Sequence, residues 1–302
     1  MLTFPNIDPV ALQVGPIAIH WYGLMYLGGF TGGYYLAMKR AMKPNSGWTQ
    51  ENVSDMIFYG AMGVILGARF GYVFFYNFAK FLDDPIMLFK VWEGGMSFHG
   101  GMLGVALAML LYSIKVKKHF FDIMDFGAPI VPIGLGLGRI GNFIGGELWG
   151  RTTEVPWGMV FPGAGELARH PSQLYQFSLE GVALFCILWI FSRKPRPRRV
   201  VMGMFLIWYG IFRCVVELFR QPDAHLGYIA FDWLTMGQLL SLPMIFGGLA
   251  FVIYGYRVNV FAPTTVSASS VVPGSSINAE EAQEKSTNKA KKNSKKSKKK
   301  KR

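Results

Sequence analysis

Seven stretches of this chain stay apolar for about 20 residues each, the length an α-helix needs to cross the hydrocarbon core of a bilayer. They lie at roughly 17–37, 54–77, 97–114, 123–144, 174–192, 200–218 and 236–256. In lipid a backbone must satisfy its own hydrogen bonds, so the expected class is all-α: a polytopic membrane protein with seven transmembrane helices. Composition agrees. The chain is 51% apolar and only 16% charged, with a mean hydropathy of +0.28, more apolar and less charged than a soluble chain of this length. Pro129 and Pro132 predict a kink in the fourth run.

The charges between the runs orient them. Lys39, Arg40 and Lys43 follow the first. Lys115, Lys117 and Lys118 follow the third, and Arg193, Lys194, Arg196, Arg198 and Arg199 the fifth. Arg257 and the tail follow the seventh. These basic clusters occupy alternate loops, which places them in the cytoplasm by the positive-inside rule. The N-terminus is then outside and the C-terminus cytoplasmic. The longest outer loop, about 145–173, is rich in Gly, Pro and Trp and is expected to form a small outer-face cap.

The formal charge of +13 does not indicate a nucleic-acid partner. Residues 285–302 hold eleven Lys/Arg against Glu280, Glu281 and Glu284 just before them, which accounts for +8. The expected organisation is a membrane domain over 1–257 and a disordered, lysine-rich cytoplasmic tail over 258–302. Attraction to anionic membrane lipids is one role for that tail, and passive solvation is the other. The first sixteen residues contain no Lys or Arg, so no cleavable signal peptide is expected. Cys186 and Cys214 both sit in apolar runs and read as packing residues, not as a disulfide or a nucleophile.

Fixed charge within or beside a membrane span is costly, so each instance asks for a reason. "MSFHGGMLG" places His99 at the outer start of the third span, as a proton acceptor, a phosphate hydrogen-bond donor or a structural group. "GRIGNFIGGELWGR" places Arg139 and Asn142 one turn apart on the fourth span, with Glu147, Gly150 and Arg151 entering the cap. A structural Arg139–Glu147 pair is the plainer reading of that motif. "IWYGIFRCVVELFRQPD" puts Tyr209, Arg213 and Glu217 in one stripe of the sixth span, spaced by four, with Arg220 and Gln221 after it. In "HWYGLMYLGGF", Tyr22 and Tyr26 share a face of the first span, for which an interfacial aromatic belt is the default account. Arg69, deeper in the second span, reads as structural. Arginines in two separate spans, both near the outer face, point to an anion held at membrane depth, because the guanidinium fork matches phosphate. Walled by apolar helices, that anion is expected to be a phospholipid headgroup.

Taken together, "WYGLMYL", "HGGMLG", "GRIGNFIGGELWGR", "HPSQLYQ" and "YGIFRCVVELFRQPD" resemble the bacterial prolipoprotein diacylglyceryl transferases over about residues 1–257. Gly145 departs from the family, where many members carry an asparagine, but it lies beside the polar positions and not on them. The resemblance implies a bacterial inner-membrane enzyme with its site towards the periplasm. It implies transfer of the diacylglyceryl group of phosphatidylglycerol to the lipobox cysteine thiol of a preprolipoprotein. Glycerol phosphate leaves and a thioether forms, with no metal or soluble cofactor. Under it, Arg139 and Arg213 stabilise the departing phosphate. His99 is a candidate base, with Tyr209 and Tyr26 as orienting groups; alternatively, the arginine field favours the thiolate without a dedicated base. Asn142 and Glu147 would hydrogen-bond the headgroup glycerol or orient Arg139, Glu217 would position Arg213, and Gly150, Arg220 and Gln221 would complete the substrate-binding set. Two other classes compete: a phospholipid transporter or flippase with an outer-leaflet headgroup site, which often shows internal repeats not found here, and a non-catalytic scaffold displaying the basic tail.

Overall fold

A computed structural model describes residues 2–5, 7–91, 94–222, 227, 229–230 and 233–263. The first elements are short strands, β1 (Leu2–Thr3), β2 (Val10–Val14) and β3 (Ile17–His20). Ten α-helices follow among the described residues: α1 (Trp21–Ala41), α2 (Gln50–Tyr76), α3 (Phe78–Asp83), α4 (Phe98–Val116), α5 (Phe120–Gly127), α6 (Val131–Ile144), α7 (Ser172–Gln176), α8 (Leu184–Phe191), α9 (Val200–Glu217) and α10 (Met236–Val258). A π-helical turn, Phe177–Ala183, joins α7 to α8 into one 20-residue helix. A further strand, β4 (Met159–Val160), pairs in parallel with β1. Residues Met1–Thr264 cluster as one compact unit. The expected tail lies outside the described residues from 264 onward.

The fold is mostly helical, as membrane spans require. Among the described residues five helices are long and apolar enough to cross a bilayer, or six if α5 and α6 count as one broken span. These two meet at 51° around Pro129 and Pro132, where the kink is expected. α1 is 21 residues long but falls outside that set, carrying glycines, tyrosines and the terminal Lys39 and Arg40. Its start also corrects the sequence-based boundary. Residues 17–20 are not helical but form β3 of a hairpin, because Gly15, with φ 59°, opens a two-residue turn and β2 pairs back on β3. An otherwise all-α expectation therefore gains two small two-stranded sheets among the described residues.

Helix starts follow from local chemistry. Thr49 and Asn52 form a capping box on α2, as do Thr235 and Gln238 on α10, and the Ser97 side chain accepts from Gly100 N at the start of α4. α2 and α4 pack through small residues spaced by four, Gly63, Gly67 and Gly71 against Gly100, Gly104 and Ala108. A Cβ at Gly71 would lie 2.7 Å from Gly100 Cα. Backbones this close maximise dispersion between helices that gain no hydrophobic drive in lipid. Outward, large apolar side chains such as Phe75, Ile114 and Phe246 stay exposed on the helix surfaces.

The two ends of the bundle differ. At one, Arg40 Nη1 donates to Ser192 Oγ (2.6 Å), Lys118 Nζ to Gly47 O (2.6 Å), and Arg198 makes a bidentate pair with Asp122 (2.6 and 2.8 Å). Arg198 N also donates to Val260 O (2.7 Å), so all four basic segments meet there. At the other end, residues 145–171 fold over the C-terminal end of α9.

Arg69 is buried in α2. Its guanidinium donates to the backbone carbonyls of Met87, Leu88, Lys90, Gly94 and Gly95. It pins the connection between α3 and α4, the structural role its depth suggests.

Candidate active site

The site begins where α6 passes the π-helical turn. Gly136 and Gly181 let the backbones touch, since a Cβ at Gly181 would lie 2.8 Å from Gly136 Cα. That contact sets Arg139, one turn along α6, opposite Glu180, the neighbour of Gly181. Arg139 Nη2 lies 3.6 Å from Glu180 Oε2, and the Glu180 side chain is fully buried. π-turns interrupt helices at functional sites more often than elsewhere.

α9 brings the second arginine. Arg213 Nη1 lies 3.8 Å from Glu180 Oε1, and Arg213 Nη2 lies 2.5 Å from Glu217 Oε1, one turn further along. The i, i+4 spacing of the stripe thus becomes a short ion pair. Arg220 Nη1 lies 3.6 Å from the same Glu217 oxygen, and Thr235 Oγ1 donates to Glu217 Oε2 at 2.7 Å. A Cβ at Gly237 would stand 2.6 Å from Glu217 Cδ, so α10 makes room for this carboxylate by having no side chain there. Tyr209 is within electrostatic reach of Glu180, Arg213, Arg139 and Glu217. Among the described residues the network joins the guanidinium groups of Arg139, Arg213 and Arg220 to the carboxylates of Glu180 and Glu217.

The cap closes over this network. Gly146 (φ 66°) and Leu148 (φ 56°) turn the chain off the end of α6. Gly150 N donates to His170 O (2.9 Å) and Arg151 N to Phe219 O (2.9 Å). The Arg151 side chain donates to Arg220 O and Glu217 O (3.0 and 3.1 Å). A Cβ at Gly150 would come 2.5 Å from Phe219 O, so only glycine fits this joint. Trp157 Nε1 donates to Tyr175 OH (2.7 Å), which is 3.1 Å from His170 Nδ1. Beside them a cavity of about 430 Å³ is lined by Val155, Trp157, Leu179, Val216 and Phe219 among others. Burial holds the His170 imidazole below its ordinary value.

A family model for prolipoprotein diacylglyceryl transferase matches residues 9–254. The chain belongs to this family. Its relatives include phosphatidylglycerol–prolipoprotein diacylglyceryl transferases of Marinomonas sp. (strain MWYL1), 59% identical over 88% of this chain and 100% of the relative, and of Pseudomonas paraeruginosa (strain DSM 24068 / PA7), 59% identical over 87% and 99%. A third, from Aliivibrio fischeri (strain MJ11), is 60% identical over 86% of this chain and 92% of its own length.

In this diacylglyceryl transferase the residues singled out from sequence fall into three groups. Arg139, Tyr209, Arg213, Glu217 and Arg220 come together in the ion network. Asn142 (8% exposed), Glu147, Gly150 and Gln221 lie at the junction of α6, the cap and α9. There Glu147 N donates to Asn142 O (2.9 Å), and Gln221 Oε1 accepts from Arg169 Nη1 (3.5 Å). Tyr26 OH lies 3.2 Å from Tyr22 OH, and Tyr22 packs against α6, where a Cβ at Gly141 would come 2.8 Å from its ring. His99 stands apart. It is exposed in the first turn of α4, its ring meets Phe98, and no direct bond among the described residues joins it to the arginines. The carboxylate that faces Arg139 is Glu180, not Glu147. Glu180 is not among the residues singled out from sequence, although a glutamate alone inside an apolar run is a signal in itself.

Proposed function

We propose that this chain carries out the reaction named for its relatives, transfer of a diacylglyceryl group from phosphatidylglycerol to a prolipoprotein, at the Arg139–Glu180–Arg213 network. One observation carries the assignment of the site. Two arginines from separate helices converge on a single buried carboxylate, and their positive charge suits a phosphodiester.

The chemistry follows from that charge. The acceptor cysteine, with an ordinary thiol pKa of about 8.5, loses its proton. Its sulfur attacks the glyceryl carbon that carries the phosphate. The S–C bond forms, the C–O bond to phosphate breaks, and the electron pair departs with glycerol phosphate. Negative charge grows on that oxygen in the transition state, where Arg139 and Arg213 hold it in a site of low dielectric. Glu180 and Glu217 hold the two guanidinium groups in place. Either His99 takes the thiol proton, or the arginine field favours the thiolate and the proton passes to solvent; the exposed position of His99, apart from the arginines, favours the second, with Tyr209 and Tyr26 orienting the reacting groups. Asn142 and Glu147 reach the headgroup, and Gly150, Arg220 and Gln221 keep the cap over it.

The membrane setting is part of the same proposal. Seven spans are counted by taking α1 as the first and the α5–α6 pair as one. The meeting of all four basic segments at one end supports a cytoplasmic side there, an outer-facing cap and a site open to the periplasmic half of a bacterial inner membrane. Residues 1–257 form the membrane domain, and 258–302 the cytoplasmic tail.

The test is a purified protein in vesicles with labelled phosphatidylglycerol and a lipobox peptide. A thioether-linked diacylglyceryl peptide and free glycerol phosphate are expected, with Arg139→Ala and Arg213→Ala each folded but nearly inactive. Label crossing the bilayer without thioether formation would instead identify a transporter.

A further inference from the structure

The stretch "HPSQLYQ" carries part of the family resemblance, yet the reaction described above assigns no role to its glutamines. Gln173, Gln176 and Glu180 are each 0% exposed. Gln176 lies three residues from Gln173 and four from Glu180, so the three share one face of the helix. Gln173 anchors the cap end of that face, its Nε2 donating to Glu147 O at 2.5 Å. Glu180 anchors the other end at the two arginines. Gln176 sits between these anchors, and neither its amide oxygen nor its amide nitrogen finds a hydrogen-bond partner among the described residues. The Gln173 Oε1 has no hydrogen-bond partner among the described residues either. Buried polar groups are normally paired, and a fully buried amide with both ends unpaired, beside a substrate site, is shaped for a group that both donates and accepts.

We propose that Gln176 is a specificity-determining residue whose amide hydrogen-bonds the hydroxyls of the donor lipid's glycerol headgroup. This rests on the function proposed above. The helix runs from Ser172, under the cap, to Phe191 at the basic end, so Gln176 is one turn nearer the cap than Glu180. A lipid phosphate between Arg139 and Arg213 directs its acyl chains into the bilayer and its headgroup towards Gln176. A hydroxyl satisfies both the Nε2 donor and the Oε1 acceptor. An ethanolamine ammonium has only donors and leaves Nε2 unpaired, and a methyl ester leaves both unpaired. Discrimination of this kind works by penalising the lipid that lacks the matching group.

The experiment compares two donors, phosphatidylglycerol and phosphatidylmethanol, which share the phosphodiester and differ in the headgroup hydroxyls. Thioether formation on a lipobox peptide is measured for the intact protein, Gln176→Met and Arg139→Ala. The intact protein is expected to favour phosphatidylglycerol about tenfold or more. Gln176→Met is expected to lose about tenfold with phosphatidylglycerol and to change less than about twofold with phosphatidylmethanol, so the preference collapses. Arg139→Ala loses both donors alike. Equal losses for both donors in Gln176→Met, or no loss, would overturn the proposal. So would an intact protein that uses the two lipids equally, whatever the variant's folding. If the intact protein forms no thioether from phosphatidylglycerol, the parent function fails, and the headgroup assignment fails with it.

Discussion

Arg139 on α6 faces Glu180 of the π-helical turn across 3.6 Å, and the same buried carboxylate faces Arg213 of α9 across 3.8 Å. Both separations exceed the 2.7–3.2 Å of an N–H···O bond, so Glu180 steadies the two cations by charge and not by short contacts. Removing it leaves two guanidinium groups crowded in a low-dielectric site. Breaking a buried pair from one side typically costs about 3–5 kcal/mol. Glu180→Gln, nearly the same size, is therefore expected to lower the thermal midpoint in detergent and to cut transferase turnover at least about tenfold. An assay and a melt on the same preparation check both, and unchanged values would remove Glu180 from the network.

The α2–α4 interface depends on backbone contact. A Cβ at Gly104 would lie 2.7 Å from Gly67 Cα, whereas one at Gly60 would meet only Met109 Cε at an ordinary 3.8 Å. Gly104→Val should abolish monodisperse protein in size-exclusion chromatography. Gly60→Ala should leave the yield and the melting point nearly unchanged. Similar behaviour of the two variants would contradict close helix packing as the cause.

Arg69 closes off backbone carbonyls between Met87 and Gly95. Arg69→Met keeps the buried stem and strands those carbonyls, each worth about 1–3 kcal/mol when buried and unpaired. Hydrogen exchange should accelerate in residues 85–91 ahead of the rest of the chain. A uniform acceleration would indicate general unfolding, and none would show the clamp to be dispensable.

His170 gives the cap a pH dependence. Burial disfavours its charged form, so its folded pKa lies below the unfolded value of about 6.5. As pH falls through about 6.5, the unfolded chain gains a proton before the folded cap does, and stability declines. Above that range the contribution is fully present. Between about pH 7 and pH 5, the melting point of the intact protein should fall more steeply than that of His170→Gln. Parallel curves would contradict this.

Much of the fold was legible because lipid imposes a simple rule on backbone and composition. The 200–218 run became α9 over Val200–Glu217, and the two prolines in the fourth run break it where expected. The stripe Tyr209, Arg213, Glu217 was readable because helical spacing alone puts those residues on one face. What escaped needed information from another part of the chain. The β2–β3 hairpin over 10–20 continues into an apolar run, so hydropathy merged Ile17–His20 with the helix after it. Glu180 belongs to an apolar stretch with no sequence-local partner, and only the Gly136–Gly181 contact brings it to Arg139. Gln173 and Gln176 look like ordinary polar residues at a helix start until their complete burial is seen.

The central claim is that Arg139 and Arg213 hold the lipid phosphate between them. The most direct test is an experimental structure with phosphatidylglycerol bound. Phosphate oxygens are expected within about 3 Å of both guanidinium groups, with the glyceryl carbon facing the membrane. A phosphate seated away from the pair, at the basic end of the bundle or against one arginine alone, would contradict it.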